Sequence, residues 1–281
     1  MKKLFTFFAG TMVAAACLSS CTPKPEKIKI ISYNIRLGVA DDGENSWEFR
    51  KQATADMLNA EKPDAFGLQE AMNMQLAFIE ENFPQYKRVG VGRDDGVAEG
   101  ECMAIFYNTD KFELLESATF WLSETPGVPS DGWDAACRRT VTMTHLKLKE
   151  SGKELCFFNT HLDHVGSVAR AESVKLLEEL MDDFAEDGIP VVLSGDMNST
   201  ITPIFDPLFE DGFINVRDAA PITDNCSTYN GWKKFEEDTG ESAIDHFFTK
   251  GIEPKTFRTL NGDYGVPFIS DHYPIEFTFD L

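Results

Sequence analysis

Basic residues are scarce. The 281-residue chain has 26 Lys and Arg against 47 Asp and Glu, a formal charge of -21. A long polyanion lying in a groove needs clustered cations to replace its counterions, so no long nucleic acid is expected as a partner. A small phosphorylated substrate stays open, because a local cation overturns the global field. There are only five His, so each one beside an Asp or Asn carries weight. Cysteine occurs in no metal-binding pattern. Beyond the N-terminal segment only Cys102, Cys137, Cys156 and Cys226 remain, with no C-x-x-C, which leaves zinc and dithiol chemistry unsupported. An oxidising compartment would permit disulfides, but three of the four stand in apolar strand-like contexts, where buried thiols are expected. No internal repeat or low-complexity linker follows residue 27. What is abundant is core: 42% hydrophobic residues and 23 Phe, enough for one large α/β domain.

The N-terminus reads as a targeting segment. Lys2 and Lys3 precede a short apolar stretch over 4–16, too short to span a membrane. Leu18-Ser19-Ser20-Cys21 resembles a bacterial lipobox. The expectation is a lipoprotein signal peptide over 1–20, a lipidated Cys21 with a tether to residue 27, and a single domain over 28–281. An ordinary signal peptide cut nearby is the alternative. Either way the protein is exported, and the lipidated form is anchored to a membrane, periplasmic or at the cell surface.

The body of the chain alternates strands and helices. Residues 28–35 are β-branched and alternating, a strand ending at Asn34. Ser46 is placed to cap a helix that buries Trp47, Ala53, Met57 and Leu58 and stops before Pro63. Residues 64–68 form a short strand ending at Gln69-Glu70, followed by a helix carrying Leu76, Ile79 and Phe83. Strands are expected over 86–91, 102–107 and 112–122, with a polar Gly/Asp loop over 92–101. A long loop over 123–136 holds Trp133, and long loops at one end of a scaffold often line sites. A hairpin pairs 139–148 with 154–159. A helix starts near Ser167 with Val168, Ala171, Val174, Leu177, Met181 and Phe184 as its apolar stripe. A buried strand then delivers Ser194-Gly195-Asp196-Met197-Asn198. Residues 200–240 read as mostly loop with a short helix near Pro207, and 243–249 and 274–279 close the sheets. Strands outnumber helices, which points to mixed sheets packed face to face with helices outside.

The chemistry-bearing residues stand where apolar runs end. Asp196 and Asn198 can project into one cleft, the acid holding a water and the amide orienting it or a phosphate. Glu70 is a hard-cation ligand by type, since Mg²⁺ prefers oxygen. His161 in Asn-Thr-His-Leu-Asp and His272 in Ser-Asp-His have acids nearby that can orient the ring and raise its pKa. Each of these alone is commoner as an ordinary turn or surface residue. Together, independent segments place metal- or phosphate-competent groups at strand ends across nearly the whole chain.

As a set these motifs resemble the endonuclease/exonuclease/phosphatase superfamily, in the branch nearest deadenylase and nocturnin-like proteins. The resemblance spans residues 27–281. It implies an α/β fold, the DNase I-like four-layer sandwich of two mixed β-sheets with helices outside. It also implies Mg²⁺, with Mn²⁺ as a substitute. Carried over by motif, Asn34 and Glu70 support the metal, and His161 contacts the scissile phosphate. Asp196 positions and deprotonates the water with Asn198 beside it. Asp245 in Ile-Asp-His stabilises the site, as by orienting His161, and Asp271 orients His272, which stabilises charge on the phosphate. Arg139 fits a recurring family Arg that reaches phosphate oxygens. Trp133 is a candidate to stack on a base or sugar, and Glu101 a candidate second acidic contact. The chain departs from abasic-site nucleases: Arg36 stands two after Asn34, and their Trp-Asn-x-Asn-Gly motif is missing.

The expected activity is metal-dependent hydrolysis of a phosphate ester on a small or short substrate, by a monomer. A nuclease for short oligonucleotides is the alternative enzyme. A catalytically dead binding lipoprotein is the alternative from another class, and loss of Glu70, Asp196 or His272 would have marked it.

Overall fold

The structure is a computed structural model describing residues 25–185, 188–235 and 237–281. The signal peptide, Cys21 and most of the tether lie outside the described residues. In chain order the strands are β1 (Lys27–Asn34), β2 (Ala65–Ala71), β3 (Tyr86–Val89), β4 (Cys102–Asn108), β5 (Phe112–Trp121), β6 (Thr140–Leu148), β7 (Glu154–His161), β8 (Val191–Asp196), β9 (Ile214–Asn215), β10 (Asp245–Lys250), β11 (Pro254–Thr259) and β12 (Ile275–Asp280). The helices are α1 (Trp47–Glu61), α2 (Asn73–Asn82), α3 (Ser167–Phe184), α4 (Asp206–Glu210) and α5 (Val216–Ala219). One sheet runs β11-β12-β1-β2-β4-β3 and the other β5-β6-β7-β8-β10-β9.

Alternation within the strands builds the layers. Ile28 and Ile30 of β1 point between the sheets, where they meet Phe157, Val192 and Phe277. Ile31 and Tyr33, on the other face of the same strand, pack under α1 and α2 with Trp47, Met57 and Ile79. The second sheet does the same: Met143, Phe158 and Leu193 face Val174, Leu177 and Met181 of α3. The result is the four-layer α/β sandwich, helices–sheet–sheet–helices, that the pattern implied.

Several local expectations are corrected. Val168 is exposed and Ala171 half-buried; α3 instead buries Ala169, Ser173, Val174, Leu177 and Met181. The stripe starts one residue later because the helix enters beside Asp134, whose carboxylate accepts from the N–H of Ala169. Ser46 precedes α1 in extended conformation but makes no side-chain cap bond. The strand at 86–91 stops at Val89, before Gly90 turns to φ 118°. Residues 200–240 hold β9 and α5 besides α4, and β11 adds an unexpected edge strand. Cys102 and Cys156 are buried, whereas Cys137 and Cys226 are half-buried.

A polar seam locks the two sheets together. Asn159 of β7 is fully buried and donates to the carbonyls of Leu68 (2.8 Å) and Ala104 (3.1 Å) in the opposite sheet. It accepts from Gln69 Nε2 at 2.6 Å and from Ser194 Oγ at 3.3 Å. Gly67 makes room for it: a Cβ there would stand 2.6 Å from the Asn159 side chain. Buried polar groups stripped of partners are expensive. Asn159→Ala should therefore cost about 2–4 kcal/mol, read as a Tm about 5–10 °C lower. An unchanged Tm would show that the seam does not hold the sheets.

Candidate active site

Strand register assembles the catalytic row. β7 and β8 run parallel with His161 opposite Asp196, and β8 and β10 run antiparallel with Asp245 opposite Asp196. Directly opposed residues share a face, so His161, Asp196 and Asp245 stand side by side at one sheet end, all buried. Gly195 lets the strands come together there, since any Cβ would collide with the Thr160 carbonyl oxygen.

His272 enters from the segment before β12. Its Nδ1 lies 2.8 Å from Asp245 Oδ2 and its Nε2 3.6 Å from Asp196 Oδ2. Burial works against a charge on His272, but Asp245 and then Asp196 outweigh it and raise its pKa well above the ordinary value, so the ring is an imidazolium at neutral pH. Burial raises the Asp196 carboxyl toward neutrality, with His272 opposing and Asp245 reinforcing the rise. His161 goes the other way. Burial, and then Arg139, His272 and Arg93, hold its pKa well below the usual value. Asn198, with φ 47°, spans this group. Its Nδ2 reaches His161 Nε2 (3.0 Å) and the Leu162 carbonyl (2.9 Å), and its N–H donates to Asp196 Oδ1 (2.9 Å).

The other sheet supplies the facing wall. Asn34 ends β1 and donates from Nδ2 to Asp196 Oδ2 (3.0 Å) and Glu70 Oε1 (3.1 Å). Glu70 sits at an irregularity in the β2–β4 pairing with φ 59°, a strained backbone for a residue with a Cβ. Its other oxygen accepts from the Leu37 N–H at 2.8 Å. Asp271 lies on the same side; burial raises its pKa and Glu70 adds to the rise, against the pull of His272. Two carboxylates that repel each other suit a hard divalent cation between them. Ligand atoms of Asp196, Asp245 and His272 also lie within 4.8 Å of one another, though a cation held there would need the neutral form of His272. A divalent-metal-binding site is thus part of this cluster.

The expected residues do not all play the expected parts. Asp245, not Asp271, holds His272, and neither orients His161. Asp271 faces Arg36 instead, at 3.6 Å. Register explains the exchange: Asp245 is placed beside Asp196 by β10, on the side from which His272 approaches. Arg139 lines the cleft but is bound to Asp163 Oδ2 (3.3 Å) and His164 Nδ1 (3.0 Å). Glu101 also lines it, paired through both oxygens with Arg93. Trp133 is not among the lining residues; its N–H reaches Glu124 at 3.4 Å. Sequence reasoning missed Arg93, His164 and Tyr229 as cleft residues. Arg93 stood in a run of turn residues with no apolar pattern to mark a strand end. The cleft holds about 410 Å³. A larger hollow of about 560 Å³, lined among others by Lys234, Phe235, Asp238, Asn261 and Tyr273, contains none of these groups, so size alone does not locate the site.

Two sheets that converge an acid, an imidazolium and a divalent-metal site on one small cleft define a metal-dependent phosphate-ester hydrolase. The chain belongs to the endonuclease/exonuclease/phosphatase family, whose model matches residues 31–272. It is 35% identical to a mannosyl-6-phosphatase of Bacteroides thetaiotaomicron, with a TM-score of 0.83 over 89% of this chain and 98% of that one. A protein of Acanthamoeba polyphaga mimivirus is 27% identical over 90% of this chain and 100% of its own length. Nocturnin of Xenopus laevis is 22% identical over 79% of this chain, which spans 61% of that protein.

Asp163 braces the cleft wall and gives a pH test. Burial works against its charge, yet the N–H groups of Gly166, Val165 and Ala136 and the Arg139 guanidinium bring its pKa down from 3.8 to about 2. A depressed carboxyl stabilises the fold fully above its ordinary pKa and loses that contribution as pH falls through the folded value. Asp163→Asn should therefore lower stability at pH 7, and the gap to the native protein should close as pH drops from 3.8 to about 2. A gap constant across that range, in denaturant titrations, would refute the assignment.

Proposed function

We propose that the protein is an exported Mg²⁺-dependent phosphomonoesterase for a small sugar or polyol phosphate. The observation that carries this reading is the facing of the Asp196–His272–Asp245 cluster and the Glu70–Asp271 carboxylates across a 410 Å³ polar cleft. The likeness to a mannosyl-6-phosphatase favours the sugar phosphate over a nucleotide. Near-balanced cleft charge favours one phosphate over a chain of them, against the oligonucleotide alternative. Glu70, Asp196 and His272 are all present, which argues against an inactive binding protein. The targeting segment supports a lipid anchor at Cys21, and one chain supplies the whole cleft, which supports a monomer. One domain over 28–281 suffices for both sheets.

The geometry supports the following roles. Glu70, fixed by Asn34 and Leu37 and faced by Asp271, is the metal ligand; Mg²⁺, or Mn²⁺ in its place, neutralises phosphate oxygens and supports the leaving oxygen when bound. Asp196 takes the proton of the attacking water, its carboxyl raised toward the range where a base works near neutral pH. The Asn198 N–H holds one oxygen of that carboxylate so the other can face the water. His272 carries its charge to the phosphate, with Asp245 fixing the ring. Neutral His161 borders the phosphate position and is kept in place by Asn198.

Phosphate release by the full-length protein should require Mg²⁺ or Mn²⁺, stop with EDTA, and favour phenyl phosphate over a bis-aryl diester. Asp196→Asn should lower kcat by about 10²–10⁴. Asp271→Asn should chiefly raise the Mg²⁺ concentration for half-maximal rate, whereas Asp245→Asn should lower kcat at saturating Mg²⁺. Full activity in EDTA, or a diester preferred, would overturn the reading.

A further inference from the structure

We infer that the Arg93–Glu101 pair is the hydroxyl-reading element of the cleft, binding neighbouring hydroxyls of the polyol whose phosphate is hydrolysed. This rests on the phosphomonoesterase reading above. The two side chains meet end-on: Arg93 Nη2 to Glu101 Oε1 at 2.7 Å and Nη1 to Oε2 at 2.8 Å. Both line the cleft and both are largely buried, with 14% and 12% of their side chains exposed. In this fork each Nη keeps a second hydrogen, and each carboxylate oxygen a second lone pair. A hydroxyl is donor and acceptor at once, so vicinal hydroxyls match a planar pair that offers both.

The other ligand chemistries fit less well. A second phosphate would gain from Arg93 but meet the Glu101 charge a bond away, so the pair is neutral toward anions. A nucleobase is best held on a stack of aromatic faces, whereas among the described residues the cleft has a single ring of Tyr, Trp or Phe, Tyr229, which makes an edge contact with His272 with ring centroids 5.0 Å apart. The pair is also close enough to the reacting end for Arg93 to disfavour protonation of His161.

The pair is preorganised rather than mobile. The Arg93 N–H bonds the Glu101 carbonyl at 2.9 Å, and the Arg93 carbonyl accepts from Trp121 Nε1 at 2.7 Å. Asp95 Oδ1 accepts from the N–H groups of Val97, Ala98 and Glu99, closing the loop between the two residues. Arg138 Nη1 ties the Asp94 carbonyl at 2.7 Å. A rigid polar pair rejects a substrate that lacks the matching hydroxyls, because its own groups are then left unpaired.

The test pairs two esters on the full-length protein: mannose 6-phosphate, and cyclohexylmethyl phosphate, which keeps a six-membered ring and the exocyclic CH₂–O–phosphate link but lacks the hydroxyls and the ring oxygen. The native enzyme should prefer the sugar by about 100-fold or more in kcat/KM. In Glu101→Gln and Arg93→Met that preference should collapse to within about tenfold, mostly through KM for the sugar. An equal fractional loss on both esters would assign Arg93 to the phosphate or to the fold, and would overturn the inference; Tm tells these apart. Native turnover of phenyl phosphate with no preference for the sugar would also overturn it while leaving the phosphomonoesterase standing. Native failure on every ester would overturn the proposed function itself.

Discussion

The site depends on one constraint, the hydrogen-bond register of β7, β8 and β10. His161, Asp196 and Asp245 reach a common row only because His161 and Asp245 each stand opposite Asp196 of the middle strand. A one-residue slip in either pairing would turn a catalytic side chain to the opposite face of the sheet. The register is protected by features that have nothing to do with phosphate. Gly195 permits the close approach to Thr160, and Asn159, two residues before His161, is pinned across the sheets by Gln69. Gln69 directly precedes Glu70. The polar seam that joins the sheets therefore also sets how far Glu70 stands from Asp196.

Charge within the cleft is arranged in pairs. Arg36 meets Asp42 and Asp271, Arg93 meets Glu101, Arg139 meets Asp163, and His272 meets Asp245 and Asp196. Each cation is restrained by its own acid, so the cleft does not act as a general anion trap. The chain as a whole is strongly acidic, with a formal charge of -21, and at physiological salt such a field fades over about 8 Å. A small ester can enter through that field, whereas a long polyanion would keep many of its phosphates within it. The paired charges and the cleft volume are both consistent with the small substrate proposed above.

Much of this was legible because a strand end is a recognisable place in sequence. Asn34, Glu70, His161, Asp196, Asp245 and Asp271-His272 each follow or begin an apolar run, and the structure gathers these segments at one end of the two sheets. What remained illegible was pairing. Nothing in Ile-Asp-His or Ser-Asp-His says which acid serves which imidazole, because that is decided by strand neighbours far apart in sequence. The position of Asp245 opposite Asp196, rather than its local motif, made it the partner of His272. The α3 stripe was right at Val174, Leu177 and Met181 and failed only in the first turns, where Asp134, from a distant loop, accepts from the Ala169 N–H as the helix enters. The edge strand β11 was hidden by Pro254, Lys255 and Arg258, and the edge strand β9, only Ile214–Asn215, is too short to show an alternation.

The division between legible and illegible residues follows the division of labour. The groups proposed to break the phosphate ester sit at or beside β-strand ends, where ladder hydrogen bonds fix the backbone. Groups that read the rest of the substrate sit on loops, and a loop carries no periodic signature. Arg93 shows the consequence. Its neighbours Gly92, Asp94, Asp95 and Gly96 look like turn chemistry, and they are; the Asp95 carboxylate closes a turn over three backbone N–H groups. That same turn gives Arg93 a fixed direction, toward Glu101 and the cleft. A loop tied this firmly behaves as part of the scaffold, so it can reject the wrong substrate as well as bind the right one. Relatives that keep the strand-end groups and change this loop would keep the chemistry and exchange the substrate.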